Sequence, residues 1–513
     1  VTRSNILGAA GLLFVGNLMS RILGLVREQV IAALFGEQAV TSAYTTAATV
    51  PTMFYDLVIG GAVSAALVPV LSGYCDSDDD DLGRIVGTLL VGAAVLLAIL
   101  VAILFLMAKQ LTILLNATDP RVEPLAIQLV QIVVPALFFL GIAGVVGAVC
   151  YARQQFIYPA FSTALFNFGI ISSALLLHHS LGVASLAVGV VVGAMLQVVS
   201  LLPGLRGIGL RLAFDPGHPA VRRMLSLYGP VAAGLVISEI GVLLDRNLAW
   251  RTGLDSVAVM RFATTVVQLP LGLVATVTSL AALPILARLA DNREEFLRTL
   301  SGGMRLALLA IAPLAAFLIV CVDPVIRLTY QRGLFDAHAT AATVNAFLLY
   351  APQLPFVAVD QLLVYAFYAR KNTLIPMLVG LGGVGVYLVS ALTLIGPFHL
   401  GVSGLILANT LQNSLHAVAL WILFNRLVGS LTTYGLPGTV GRAILASSAA
   451  AAVGFAYVRL LPEPSHLVTL FLYVCVAGLL VVGTYLLGLL LLGVEEVTAV
   501  PRVVRTRLRA RFA

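Results

Sequence analysis

Long apolar runs, cut by short clusters of charge, proline-glycine pairs or polar residues, set the pattern of this chain. A hydrocarbon core of about 30 Å takes about 20 apolar residues in a helix, and cutting at the interruptions predicts about fourteen spans. They fall at 6–34, 40–73, 85–109, 124–150, 158–178, 181–202, 226–250, 258–287, 304–322, 342–369, 374–396, 400–425, 437–459 and 466–493. The predicted fold class is therefore an all-α integral membrane protein. The first run holds Arg21, Arg27 and Glu28 and extends to about Phe35, too long and too charged for a cleaved leader, so it is expected as a retained span.

Composition agrees. Of the 513 residues, 60% are hydrophobic and 10% charged, against roughly 25% charged in soluble domains, and the mean hydropathy is +1.04. A water-soluble globule is excluded. Most Lys and Arg fall in loops on one side if the N-terminus is cytoplasmic, with clusters at Arg206–Arg223, Arg288–Arg305 and Arg502–Arg511. The positive-inside rule then places both termini in the cytoplasm. The basic tail is read as a membrane-surface anchor rather than a nucleic-acid site. The acid run from Asp76 to Asp81 is read as a solvated loop.

The chain repeats itself. Tyr151-Ala152-Arg153 followed by Pro159 recurs as Tyr368-Ala369-Arg370 followed by Pro376, Ser173-Ala174-Leu175 as Ser390-Ala391-Leu392, and Leu181-Gly182-Val183 as Leu400-Gly401-Val402. A weaker echo links Ser64, Ala66, Pro69 and Leu71 with Ser279, Ala281, Pro284 and Leu286. Two six-helix lobes of one orientation are implied, related by a pseudo-twofold axis along the membrane normal, with two helices added, as in carriers built from parallel repeats. The divisions are an N-lobe at 1–204, a cytoplasmic linker at 205–225, a C-lobe at 226–426, two further helices at 437–493 and a basic cytoplasmic tail at 494–513.

Ionisable side chains inside spans cost about 2.5–3.5 kcal/mol each on insertion scales and so are expected to face a cavity or one another. Span 1 presents Asn17, Arg21, Gly24 and Glu28 at helical spacing, with Arg27 beside them. Span 2 holds Asp56, span 7 holds Glu239, Asp245 and Arg246, and span 10 holds Asp360, while Arg261 opens span 8. Guanidinium groups at Arg21 and Arg27 suit an anionic substrate group such as phosphate; the plainer alternative is that Arg27, Glu28, Asp245 and Arg246 form buried ion pairs that fix helix packing. Glu239 and Asp245 are candidates for coupling or gating. No Walker loop, HExxH or nucleophile elbow occurs. The four cysteines stand far apart and read as apolar fillers. Neither an enzyme nor a cofactor or metal is expected.

Particular residues then suggest a family. Ser20-Arg21-Ile22-Leu23-Gly24-Leu25-Val26-Arg27-Glu28, Phe35-Gly36 and Ala65-Ala66-Leu67-Val68-Pro69-Val70-Leu71-Ser72 resemble the first two helices of the MurJ (MviN) lipid II flippases. Gln268-Leu269-Pro270-Leu271-Gly272, Arg332-Gly333-Leu334-Phe335-Asp336 and Phe367-Tyr368-Ala369-Arg370-Lys371-Asn372-Thr373 continue the resemblance over roughly 5–430. It implies the multidrug/oligosaccharidyl-lipid/polysaccharide exporter fold and a diphosphate held by Arg21 and Arg27. It also implies lipid II and the phospholipid bilayer as partners, with cell-wall synthesis enzymes beside them, in the bacterial inner membrane. The chain departs from the family pattern at Ser42, at Tyr55-Asp56 and at Thr265, where an acid, paired arginines and an arginine are usual; Arg246 or Arg261 is expected to substitute for the last. Asp245 matches a sodium ligand of some members, but span 11 lacks the companion acid or amide. Flipping another polyprenyl-linked glycan, cation-coupled drug export and a non-transporting scaffold are the alternatives.

Overall fold

The structure, a computed structural model, describes residues 3–60, 66–75, 79–210, 214–494 and 496. Arg211, the tail beyond Glu496, and the side chains of the weaker echo at Ser64, Ser279, Ala281 and Pro284 lie outside the described residues. In lipid every backbone amide must bond within its own segment, and every described regular element is a helix. The chain forms two compact units, Val1–Ala258 with Arg332–Phe335, and Val259–Gln331 with Asp336–Ala513.

The first unit runs α1 (Arg3–Phe35), α2 (Ala39–Tyr55), a π-helical turn (Asp56–Gly60), α3 (Val68–Ser72), α4 (Asp79–Leu106), α5 (Ala108–Leu114), α6 (Glu123–Val133), α7 (Ala136–Ala152), α8 (Ile157–Leu181), α9 (Ala184–Leu201) and α10 (Pro219–Thr252). The second holds most of α11 (Ser256–Arg288), then α12 (Arg293–Val320), α13 (Val322–Tyr330), α14 (Ala337–Tyr350), α15 (Leu354–Ala369), α16 (Leu374–Ile395), α17 (Gly401–Leu427), α18 (Leu436–Leu460) and α19 (Leu467–Leu491). All fourteen expected spans coincide with helices or helix pairs. Nine described helices are long and apolar enough to cross a membrane. The other expected spans fall on α1, α2, α10, α11 and α17, which carry most of the intramembrane polar side chains.

Lipid contact is visible in exposure: Leu106, Leu176 and Leu479 are 79%, 79% and 74% accessible, values no soluble surface sustains over so many neighbours. Helices instead meet through small residues. A Cβ on Gly169 would lie 2.4 Å from the Gly193 Cα, and one on Gly193 would lie 2.4 Å from the Phe166 carbonyl oxygen. α8 and α9 therefore pack backbone against backbone, as small-residue seams in membranes allow. Gly16 gives α1 the same closeness to Ala160 of α8.

The sequence echoes return as shared local geometry. Spans 4 and 10 each break at a proline, Pro135 and Pro352, which stand as far apart as Tyr151 and Tyr368. After each Tyr-Ala-Arg the chain takes a left-handed residue, Gln154 (φ 58°) and Lys371 (φ 58°). The next amide then reaches back, from Gln155 to the Cys150 carbonyl (2.8 Å) and from Asn372 to the Phe367 carbonyl (3.0 Å). The two Leu-Gly-Val turns repeat this identity, with Gly182 and Gly401 both at φ 55°. Each closes a helix hairpin, α8 with α9 and α16 with α17.

Loop chemistry fixes the helix ends. Asn292 caps α12 by accepting the Glu295 amide (3.2 Å) and donates through its side-chain amide to the Glu295 carboxylate (3.0 Å), and Asp336 accepts the Ala339 amide (2.8 Å) to start α14. The linker is docked rather than loose, since Arg153 donates to the carbonyls of Gly204 (2.9 Å) and Arg206 (3.0 Å).

Candidate functional site

The site begins on α1. Gly16 and Gly24 of this helix turn toward α8, and that orientation decides which polar residues are committed. Arg27 donates through Nε (3.1 Å) and Nη2 (2.7 Å) to Glu28 Oε1 and through Nη1 to Asn167 Oδ1 of α8 (2.8 Å). Asn167 in turn donates to the carbonyls of Ser20 and Thr163, both at 3.2 Å. Glu28 is 2% exposed. The guanidinium of Arg27 is thus locked, while a quarter of its side chain stays accessible.

Arg21 differs. It is exposed on the same helix and forms no hydrogen bond or ion pair among the described residues. One helix therefore presents an exposed, unpartnered cation six residues before a fixed one. The expected stripe of Asn17, Arg21, Gly24 and Glu28 divides: Gly24 faces Asn167 of α8 and Glu28 is buried, while Asn17 and Arg21 lie exposed.

Asp56 opens the π-helical turn that follows α2. Such turns widen the helix, expose backbone and mark functional sites often. Gly60 closes the turn, where a Cβ would come within 2.9 Å of Asp56 Oδ1. Glu239 of α10 lies within electrostatic reach of Asp56, so these two carboxylates share one region of the first unit. Further along α10, Asp245 and Arg246 pair at 3.6 Å, each about a fifth accessible. The Nε of Arg246 is buried without a partner. Asn247 anchors this end by donating to the Leu114 carbonyl (2.8 Å), and Trp250 by donating to Thr46 Oγ1 (2.9 Å).

The departures at helices 2 and 8 have local roles here. Ser42 Oγ accepts the Ala258 amide at 3.1 Å, satisfying one of the free N–H groups in the first turn of α11. Thr265 donates to the Arg261 carbonyl (2.9 Å) of its own helix. Arg261 lies half-buried in the second unit and has partners of its own. Among the described residues no three His, Cys, Asp or Glu side chains gather as a metal site would need.

Sequence reasoning missed Asn167. A single amide in an apolar span was its only signal, and its link to Arg27 crosses two helices distant in the chain. It also missed His416, which sits in the middle of α17 and bonds Asp360.

An all-helical chain with repeated helix hairpins, lipid-facing leucines and charged residues gathered on a few less apolar helices is a multi-pass membrane transporter. Solved structures agree on the fold: one titled "Lipid II flippase MurJ, inward closed conformation" matches with a TM-score of 0.78 at 22% identity, covering 93% of this chain and 99% of that one. An inward-facing multidrug resistance MATE transporter of the MOP superfamily matches at 0.70 and 12% identity, over 81% of this chain and 96% of that one. The family model described as lipid II flippase MurJ matches residues 31–476, and the chain belongs to that family. Relatives include the lipid II flippase MurJ of Burkholderia cenocepacia, 28% identical over 71% of this chain and 73% of that protein. The probable lipid II flippases of Synechocystis sp. (28%, covering 87% and 86%) and Haemophilus influenzae (30%, covering 71% and 76%) are similar. The family is one of inner-membrane transporters, not enzymes.

Proposed function

We propose that this chain moves lipid II, the undecaprenyl-diphosphate-linked peptidoglycan precursor, from the inner to the outer leaflet of a bacterial cytoplasmic membrane by alternating access. Both termini lie in the cytoplasm, and the lobes are 1–204 and 226–426. The observation that carries this reading is Arg21: an exposed guanidinium without a protein partner, on a membrane-spanning helix of a MurJ-family chain. An arginine in a span needs an anion, and a diphosphate offers its planar fork paired oxygens. Arg27 adds a second cation whose direction Glu28 and Asn167 hold, which makes these two positioning residues for the substrate group. Arg246, paired with Asp245, and Arg261, which has partners of its own, are the two arginines considered as replacements at Thr265. Asp56 and Glu239 would repel phosphate and suit the amide- and hydroxyl-bearing glycopeptide.

The prenyl chain needs an apolar path. A cavity of about 680 Å³ in the second unit, walled by Ile311 of α12, Phe356 of α15, Val418 and Trp421 of α17 and Ile444 of α18, offers one. Complementation of a bacterium depleted of its own MurJ tests the reading. Rescue by the wild type, and by neither Arg21→Ala nor Arg27→Ala at equal membrane abundance, is expected. Failure of a well-expressed wild type, or full rescue by both variants, refutes it.

A further inference from the structure

The second unit holds an ionisable pair that the diphosphate reading does not use. His416 Nδ1 and Asp360 Oδ1 stand 2.7 Å apart, joining the middles of α17 and α15. Their side chains are 19% and 20% accessible, so the pair is sheltered but not sealed. Around it the lining is polar without charge. Asn413 donates to Gln353 and Asn409 on the same helix pair. From α16 come two glycines: a Cβ on Gly380 would lie 3.9 Å from His416 Nε2, and one on Gly383 would lie 3.7 Å from its Cδ2 and from Gln412 Cγ. Tyr368 of α15 is an ionisable group in electrostatic reach of Asp360. On their other flank α15 and α17 turn Val359, Ala417 and Val418 into the apolar cavity. Among the described residues Asp360 has no ion pair besides His416.

We propose that Asp360 and His416 form a proton-binding site whose occupancy is coupled to lipid translocation; this rests on the transport reading given above. The chemistry is simple. With the carboxylate charged, Nδ1–H is the donor, which leaves the lone pair on Nε2. That nitrogen lies beside Gly380, whose missing side chain leaves room there for a proton carrier. An arriving proton adds to Nε2, the imidazolium stays paired with the carboxylate, and departure of the same proton restores the neutral ring; no other bond changes. Chains of Asp and His inside membranes are suited to such relays, and otherwise are costly to keep. A purely structural pair would be served as well by an amide and a hydroxyl, and would not need an aperture of glycine opposite its free nitrogen.

Two measurements decide it. In vesicles holding the purified full chain and a fluorescent undecaprenyl-diphosphate disaccharide, with membrane potential clamped, a gradient of one pH unit should skew the lipid between leaflets. The skew approaches about tenfold per coupled proton. Asp360→Asn, which keeps a hydrogen bond to the ring, and His416→Gln should each bring the leaflet ratio to one. Proton movement, read by a pH-sensitive dye trapped in the vesicles, should accompany lipid translocation by the wild type and be absent with His416→Gln. Proton movement retained at wild-type level by a variant that still moves lipid overturns the site. Wild-type lipid that equilibrates without skew overturns the coupling while leaving the transport reading intact. Wild-type vesicles that equilibrate lipid no faster than protein-free ones overturn both. The wild-type arms stand even if a variant fails to fold.

Discussion

Replacing Arg27 by methionine separates what the residue does for the fold from what it does for the substrate. The change keeps the length of the stem but removes three hydrogen bonds, two to Glu28 and one to Asn167. Bonds to charged groups are worth about 1.5–3 kcal/mol each before rearrangement, and breaking a buried ion pair costs about 3–5 kcal/mol. Arg27 is 25% accessible on its side chain, Glu28 only 3%, and Glu28 keeps a further partner. The expected loss therefore falls at the low end, about 3 kcal/mol. If the first unit, Val1–Ala258, unfolds together with an entropy of about 2.1 cal/mol/K per residue, this lowers Tm by about 5 °C. Arg21→Met removes no bond and should leave Tm within about 1 °C. Adding Glu28→Leu to Arg27→Met takes away the buried carboxylate that has lost its arginine and should recover part of the loss, yet neither form should support transport. The assay is thermal unfolding of purified variants in one detergent, set beside complementation. Equal Tm losses for Arg21→Met and Arg27→Met, or a double variant less stable than the single, would refute the division into a free and a fixed arginine.

Three further outcomes follow from local geometry. Gly333 (φ 60°) lies where a Cβ would sit 2.1 Å from the Ala33 carbonyl oxygen, so Gly333→Ala should lift the 332–335 segment from α1, break the bond from the Leu334 amide to Ala33, and cost about 1–2 kcal/mol from the left-handed backbone alone; faster hydrogen exchange at Leu334 is the readout, and unchanged exchange counts against it. Gly193→Ala forces α8 and α9 apart at the Phe166 carbonyl and should destabilise by about 1–3 kcal/mol, whereas Gly382→Ala, with no atom within 4 Å of its Cβ, should be neutral in the same thermal assay. Asp119, in the turn between α5 and α6, is held down to about 2 by side-chain and backbone hydrogen bonds from Arg121. A depressed carboxyl stabilises above its ordinary range and loses that contribution as pH falls from about 4 toward 2. The Tm difference between wild type and Asp119→Asn should therefore shrink over that window, and a difference that grows on acidification would be contrary.

Most of the architecture was legible because the bilayer imposes it. Span lengths follow from hydrocarbon thickness, so even spans 4 and 10, each broken at a proline, were found as single crossings. The repeat was legible in Tyr-Ala-Arg and Leu-Gly-Val, and these motifs carry the same backbone turns in both places. What failed to show was partnership. Helical spacing put Arg21 and Glu28 on one stripe, but Glu28 is buried and paired with Arg27 while Arg21 is exposed, and only the small residues at Gly16, Gly24 and Ala160 hint at how α1 packs on α8. The links from Arg27 to Asn167 and from Asp360 to His416 join residues far apart in the chain, where periodicity has no reach. Ser42 reads as a lost acid by comparison with relatives, yet here its hydroxyl caps α11.

The cost of charge in lipid turns these contacts into an argument about function. Each intramembrane ionisable group carries an insertion penalty of about 2.5–3.5 kcal/mol, and folding offsets it only through partners. Glu28 and Arg27 offset theirs with each other and Asn167, Asp245 and Arg246 with one another, and Asp360 with His416. These pairs are consistent with stability alone, although the accessibility of the last leaves room for a proton. Arg21 has no such account. It is exposed, it bonds to nothing described, and a leucine there would make α1 a better membrane helix. No partner among the described residues offsets the cost of Arg21, and that is the observation on which the proposed contact with a substrate diphosphate rests.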